Sequence, residues 1–410
     1  MTILGQFFTE DINLQNFIFD HVLNKGQLLL EPSFGHGHLL KKFKEFDENY
    51  PMDLFEIDNN LKPIIKLNEN QTVVYDDFLK RSTCSKKYKT IIGNPPYIKK
   101  KGLKNIYIRF IEICYDLLDP LEGELIFIVP SDFIRKTSSS EIITRMASNG
   151  SFTHFYRPNR ENLFKDASID IMVFRYLKNS KIYSNNCIIY NKYPLTGLGL
   201  VQETYINIDN GIITFQKIEN QDNQTLNKKT VKISDLFDIY VGFVSGLDSV
   251  FKQPFGNTLV LTKKDQLDLF IMIDKYPSND TKINNHLLEN KEDLLQRRIK
   301  KFTEKNWFEW SLRNKKAIDL ALNKDCIFIN TITRSNEVAF IDKVKYFGPS
   351  LICLVPKTKI KTNEQTKEQT KEQINKIVLF LNSPSFRENY TYAGRFKIGH
   401  REIQNIRITL

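Results

Sequence analysis

Over roughly the first 180 residues, short apolar runs alternate with stretches whose apolar residues recur at helical spacing. Gln27–Leu30, Leu54–Ile57, Thr72–Tyr75, Thr90–Ile92, Glu124–Val129, Phe152–Tyr156 and Asp170–Tyr176 read as strands, with His38–Phe46 and Ile106–Leu118 as helices between them. This alternation predicts an α/β fold built on a doubly wound, mostly parallel sheet. Such sheets bind ligands at the carboxyl ends of their strands, so the residues that end each strand are the candidates for chemistry.

Beyond about residue 180 the alternation is lost, and after the polar stretch Glu219–Thr230 strand-like and aromatic pieces are separated by basic runs. The pattern predicts a catalytic domain over residues 1–230 and a second domain of mixed α+β over residues 231–410. The segment Lys361–Gln373 repeats Glu-Gln-Thr-Lys without apolar residues and reads as a solvated loop or exposed helix, not a site.

Charge sharpens this division. Of a formal net charge of +11, residues 231–410 hold 30 Lys and Arg against 21 Asp and Glu, net +9, which leaves +2 for the first 230. A near-neutral half followed by a basic half fits a catalytic unit joined to a polyanion-binding unit. The 410 residues, 41% of them hydrophobic, suffice for two or three cored domains. No run approaches the roughly 18 apolar residues that cross a bilayer, and residues 1–12 lack a secretory pattern, so a cytoplasmic protein without a membrane partner is expected. Five widely spaced cysteines (Cys84, Cys114, Cys187, Cys326, Cys353) imply neither disulfides nor a zinc site, and no metal is expected.

The strand ends carry the candidate chemistry. The first strand runs into Glu31-Pro32-Ser33-Phe34-Gly35-His36-Gly37-His38, where glycines let backbone amides approach a ligand. Glycine-rich turns of this kind serve many nucleotides. The second strand ends in Glu56-Ile57-Asp58, about 25 residues on, where an acidic residue accepts hydrogen bonds from ribose hydroxyls. The third ends in Asp76-Asp77-Phe78, a carboxylate for an amine and a ring for stacking on adenine. Three such ends in succession suit an adenosyl ligand, and the lack of a Walker lysine disfavours phosphate transfer.

The fourth strand ends in Asn94-Pro95-Pro96-Tyr97, the most specific segment of the chain. The prolines fix the backbone and remove amide donors, so the carbonyls and the Asn94 side chain are held outward as rigid acceptors. An exocyclic amine on a nucleobase is a poor nucleophile, and acceptors on its hydrogens localise its lone pair toward an electrophile. Tyr97 offers a flat face on which a base stacks.

With these motifs the chain resembles a gamma-class, type II adenine-N6 DNA methyltransferase of restriction–modification systems. The order Gly5-Gln6-Phe7-Phe8-Thr9, then Glu31, Glu56, Asp77 and Asn94, then a basic C-terminal half, is that of the class. The resemblance covers the first domain well and the second loosely. It implies a Rossmann-like S-adenosylmethionine-dependent domain followed by a target-recognition domain that binds double-stranded DNA. It further implies that Thr9 meets the methionine carboxylate of the cofactor, and that Glu31, Gly35 and Gly37 line its methionine side. Glu56 would hold the ribose, and Asp77 with Phe78 the adenine. Asn94 and the Pro95 carbonyl would bind the target amine, Tyr97 would stack on the flipped base, and Phe164 matches the ring that covers its other face. In the second domain, Val241–Gly246 and Tyr392–Phe396 resemble recognition-domain segments.

The expected reaction is direct in-line methyl transfer without a covalent enzyme intermediate. His36 and His38 are not required as bases, since the methylated ammonium loses its proton readily. Lys99-Lys100-Lys101, just after Tyr97, suits backbone phosphates or a solvated charge run equally. The same tetrapeptide serves cytosine N4, ribosomal RNA amines and release-factor glutamines, and a non-catalytic DNA-binding subunit with the same fold is the rival of a different class. A monomer is expected, with a separately encoded restriction endonuclease acting on the same site as partner.

Overall fold

The structure is a computed structural model that describes residues 7–80, 86–98, 105–160, 163–164, 169–180, 186–190, 201–217, 230–357 and 367–409. Gly5, Gln6, Cys84, the Lys99–Lys101 run and most of the Glu219–Thr230 stretch lie outside them. Contacts divide the chain into two units, Met1–Asp222 and Asn223–Leu410.

In the first unit the helices are α1 (Ile12–Asp20), α2 (Lys41–Phe46), α3 (Ile106–Leu117) and α4 (Ser140–Ser148). The strands are β1 (Leu29–Glu31), β2 (Met52–Glu56), β3 (Val73–Tyr75), β4 (Thr90–Gly93), β5 (Glu124–Pro130), β6 (Gly150–Tyr156), β7 (Ile171–Lys178), β8 (Asn186–Tyr190), β9 (Val201–Asp209) and β10 (Ile212–Lys217). They form one ten-stranded sheet in the order β10-β9-β8-β6-β7-β5-β4-β1-β2-β3. The five strands β1 to β5 pair in parallel, and β7 enters antiparallel between β5 and β6.

The inner strands β1, β4 and β5 are covered on both faces, which is why they are largely apolar: Leu29, Leu30, Ile91, Ile92 and Leu125 to Val129 are fully buried, while the edge strand β3 leaves Val74 and Tyr75 exposed. On one face α3 packs with Tyr107, Ile108, Ile111 and Cys114 turned inward. On the other lies α1, whose start is fixed by Asp11 accepting from the Asn13 and Leu14 amides at 3.0 Å each. A buried ion pair, Arg175 to Glu124 at 3.3 Å, ties β7 to β5, and Glu124 also accepts from the Leu23 and Asn24 amides that follow α1.

The expected loss of alternation near residue 180 holds for the helices only. Strands β8, β9 and β10 extend the same sheet, β8 beside β6 in parallel and β9 and β10 antiparallel beyond it, so that five of its nine pairings are parallel. Antiparallel neighbours need no crossover helix, and β9 passes into β10 through Asn210-Gly211, both at positive φ (52° and 68°), the two-residue turn that suits sheet twist.

The second unit holds a four-stranded antiparallel sheet of Phe237–Val241, Leu351–Pro356, Asp325–Asn330 and Ala339–Lys343. Its core is aromatic, with Phe243, Phe251, Trp307, Phe308 and Trp310 buried together. The Val241–Gly246 segment serves that core: a Cβ on Gly242 would lie 1.9 Å from the Gly348 carbonyl, so only glycine lets the two chains approach. The repeat's described part lies in the helix Lys367–Asn382, whose Ile374, Ile377 and Leu381 are buried. Cys114, Cys187, Cys326 and Cys353 are free and buried. Among the described residues no helix is long and apolar enough to cross a membrane, and no cluster of metal-ligating side chains occurs.

Candidate active site at the carboxyl ends of the strands

A cavity of about 290 Å³ opens where β1 to β4 end, and Thr9, Gly35, Glu56, Asp77, Phe78 and Asn94 all line it. Six of the eleven residues singled out in the sequence therefore meet at one place. Glu31, Gly37, Pro95, Tyr97 and Phe164 do not line the cavity, each for its own reason.

At the end of β2, the Glu56 carboxylate is held by backbone alone. Its Oε2 accepts from the Gly35 amide at 2.7 Å, and its Oε1 accepts from the Ile57 and Asp58 amides at 2.9 Å each. Oε2 keeps a lone pair for a hydroxyl donor. Gly35 reaches Glu56 by taking φ +57°, and a Cβ there would stand 3.3 Å from the Phe8 ring.

After β3, Asp77 accepts from the Leu79 amide at 3.1 Å. Phe78 is buried and stacks on Phe110 of α3 at 5.6 Å between centroids and 17° between planes, making an aromatic cavity wall. Ile57, also lining, is left 55% exposed.

Glu31, at the end of β1, faces inward behind the wall instead of lining it. Its Oε1 accepts from the amide and hydroxyl of Ser33, each at 3.1 Å, while its Oε2 is buried with no partner among the described residues. Burial pushes its carboxyl up to about 8, overcoming the opposing pull of the Ser33 donors. Gly37 shapes the turn: at φ +84° it lies against Phe34, whose ring would be 2.6 Å from a Cβ.

At the end of β4 the Asn94 amide is oriented by the chain's N-terminal segment. Its Nδ2 donates to the Phe7 carbonyl at 2.7 Å and to Thr9 Oγ1 at 3.0 Å. A carbonyl only accepts, so the nitrogen must face Phe7 and Oδ1 must face the other way, where it accepts from the Tyr97 hydroxyl at 2.5 Å. Thr9, accepting from Asn94, keeps its own O–H to donate into the cavity, and its carbonyl is fixed by Gln15 Nε2 at 2.8 Å. Pro95 is buried, and its carbonyl accepts no hydrogen bond among the described residues.

Tyr97 and Phe164 stand beside the cavity with the Phe7 ring against both, at 5.4 Å and 5.5 Å between centroids. His36 and His38 line the cavity next to Phe8; His36 Nδ1 donates to the Lys62 carbonyl at 2.8 Å, and burial with Lys41 holds His38 below the usual histidine value.

Sequence reasoning missed Phe7, Phe8, Ile57 and Phe110. Phe7 and Phe8 adjoin Thr9, and Ile57 follows Glu56, so adjacency was the available signal. Phe110 sits in mid-helix and looks like any core residue.

Fold and site together define an α/β unit with a ligand cavity at the carboxyl ends of its parallel strands. Residues 8–164 match the profile of the family described as Eco57I restriction-modification methylase, which bears out the resemblance over that stretch. The type II methyltransferase M.HindII of Haemophilus influenzae is 26% identical over 321 residues, 65% of this chain and 60% of that protein. M.HincII, from the same species, is 28% identical over 215 residues, 47% of this chain and 41% of that protein. The matches thus span less than two thirds of either relative's length. Among solved structures, the type IIL restriction-modification enzyme MmeI in complex with DNA shares the fold, with a TM-score of 0.50, 11% identity, and coverage of 84% of this chain and 59% of that one.

Proposed function

We propose that the chain is a DNA methyltransferase that transfers a methyl group from S-adenosylmethionine to N6 of an adenine flipped out of duplex DNA, as the modification part of a restriction–modification system. The observation that carries this reading is the Asn94 amide, turned by Phe7 and Thr9 so that its oxygen is the acceptor offered at the end of β4.

The cavity's donors and acceptors fit the cofactor. Glu56 offers a lone pair for a ribose hydroxyl, Asp77 an acceptor for the adenine amine, Phe78 with Phe110 a ring wall, and exposed Ile57 an apolar surface for the purine to cover. Thr9 offers its O–H to the methionine carboxylate. The bound cofactor supplies an electrophilic methyl group on a sulfonium. Asn94 Oδ1 and the Pro95 carbonyl take the two hydrogens of the target amine, which concentrates its lone pair on nitrogen without a covalent protein intermediate. Stacking against Tyr97 and Phe164 offsets part of the few kcal/mol that extrusion of the base costs. The basic second unit reads the duplex, and Tyr392–Phe396 in it forms a hairpin turned by Ala393-Gly394 at positive φ (48° and 72°). The protein acts as a monomer, and a separately encoded restriction endonuclease shares its site.

The test is transfer from labelled S-adenosylmethionine to a long duplex of mixed sequence, followed by digestion to nucleosides. Label in N6-methyl-2′-deoxyadenosine supports the assignment; label in N4-methyl-2′-deoxycytidine moves the acceptor, since Asn94 serves either amine; label in RNA or protein alone overturns it.

A further inference from the structure

Tyr97 and Phe164 are partners of one ring, that of Phe7. Phe7 lies against Tyr97 at 28° between planes, a stacked contact, and against Phe164 at 36°. A planar base that stacks on Tyr97 and turns its other face to Phe164 needs the volume that the Phe7 ring fills. Tyr107, a further aromatic neighbour of Tyr97, meets it at 87° and is 1% exposed within the core, so it is not the group that yields. Phe7 is only partly buried.

The backbone of the same residue has a separate task. The Phe7 carbonyl accepts from Asn94, and two residues on, Thr9 is pinned by Gln15 and Asn94. Rotation of the Phe7 side chain about χ1 therefore leaves the orientation of Asn94 untouched, because the carbonyl does not move with the ring.

We infer that Phe7 is a placeholder for the target base: its ring keeps the stacking slot filled and dry in the free protein, and swings aside when a planar base enters. This rests on the reading of the site as a base-binding one. Each entry of a base then includes the loss of the Phe7 stacking contact, and the strength of that contact sets how readily the slot admits a base.

The test is steady-state methylation of a mixed-sequence duplex by the full chain and by Phe7→Ala, varying DNA and cofactor in turn. A placeholder predicts that Phe7→Ala lowers the KM for DNA by about three- to tenfold, the range of one aromatic stacking contact, with no matching fall in the KM for cofactor. A rise in the KM for DNA makes Phe7 a fixed wall against which the base packs, and overturns the inference. Should Phe7→Ala weaken cofactor binding or lower the melting temperature, the segment has frayed, and Phe7→Leu, which keeps apolar bulk but cannot stack, is judged by the same sign of the change in KM. If the parent protein labels no DNA at all, the acceptor reading fails and the placeholder with it; label with the parent and a raised KM in the variants overturns the placeholder alone.

Discussion

The two sides of the cavity are built differently. On the β2 side, Glu56 is fixed by three backbone amides within two residues of itself or in the adjoining turn. On the β4 side, Asn94 is fixed by groups 85 and 87 residues away in sequence, and by a tyrosine hydroxyl. The first construction is rigid because main-chain donors have nowhere else to go. The second depends on a side-chain network and an N-terminal strap, so it can be tuned or displaced. On the proposed function, a cofactor site held by backbone and an acceptor site held by side chains would suit a protein that keeps one small ligand and must admit a large one.

Asn94→Ala should give the largest effect and fall on one side only. Turnover in the labelling assay should drop by about a hundredfold or more, as when a positioned catalytic dipole is removed. Cofactor affinity, read by calorimetry, should persist; loss of both together would mean that the two sides are one construction. Glu56→Ala should do the reverse, weakening cofactor binding by about ten- to a hundredfold through loss of charge-assisted hydrogen bonds. Turnover at saturating cofactor should suffer less, and an unaltered cofactor affinity would remove Glu56 from the ribose. Tyr97→Phe keeps the ring and deletes only the hydroxyl that meets Asn94, so kcat should fall by about two- to tenfold while the KM for DNA stays near the parental value.

Glu31, the neighbour that faces away from the cavity, should change turnover least of all and act on stability instead. Burial raises its carboxyl from an ordinary 4.5 to about 8. A group raised on folding contributes stability in full below its unfolded value and loses it as pH climbs to the folded value. The parent should therefore lose stability relative to Glu31→Gln between about pH 4.5 and about pH 8, by at most a few kcal/mol. Melting curves across that range check it, and parallel pH profiles would show that Glu31 is charged throughout.

Much of the site was legible because strand ends carry local signals. An apolar run followed by an acidic residue, or by Asn-Pro-Pro-Tyr, marks where a strand stops and a ligand begins, and Glu56, Asp77 and Asn94 do meet at one cavity; Thr9, which joins them there, lies ahead of α1 and was pointed to by the family resemblance, not by a strand end. The extension of the sheet was less legible, since β8 to β10 lack the helices by which the earlier strands were recognised, although Asn210-Gly211 between apolar runs is a hairpin signal.

By itself the sequence determined the class of fold, the order of the strand-end residues and the chemistry they can offer, because each rests on spacing within a few residues. Only the tertiary structure decided which carboxylate faces the cavity and which is buried behind it, which atom of the Asn94 amide points outward, and that the Phe7 ring lies against both Tyr97 and Phe164. Those outcomes follow from strand order, which sets residues far apart in the chain side by side, and no local pattern encodes them.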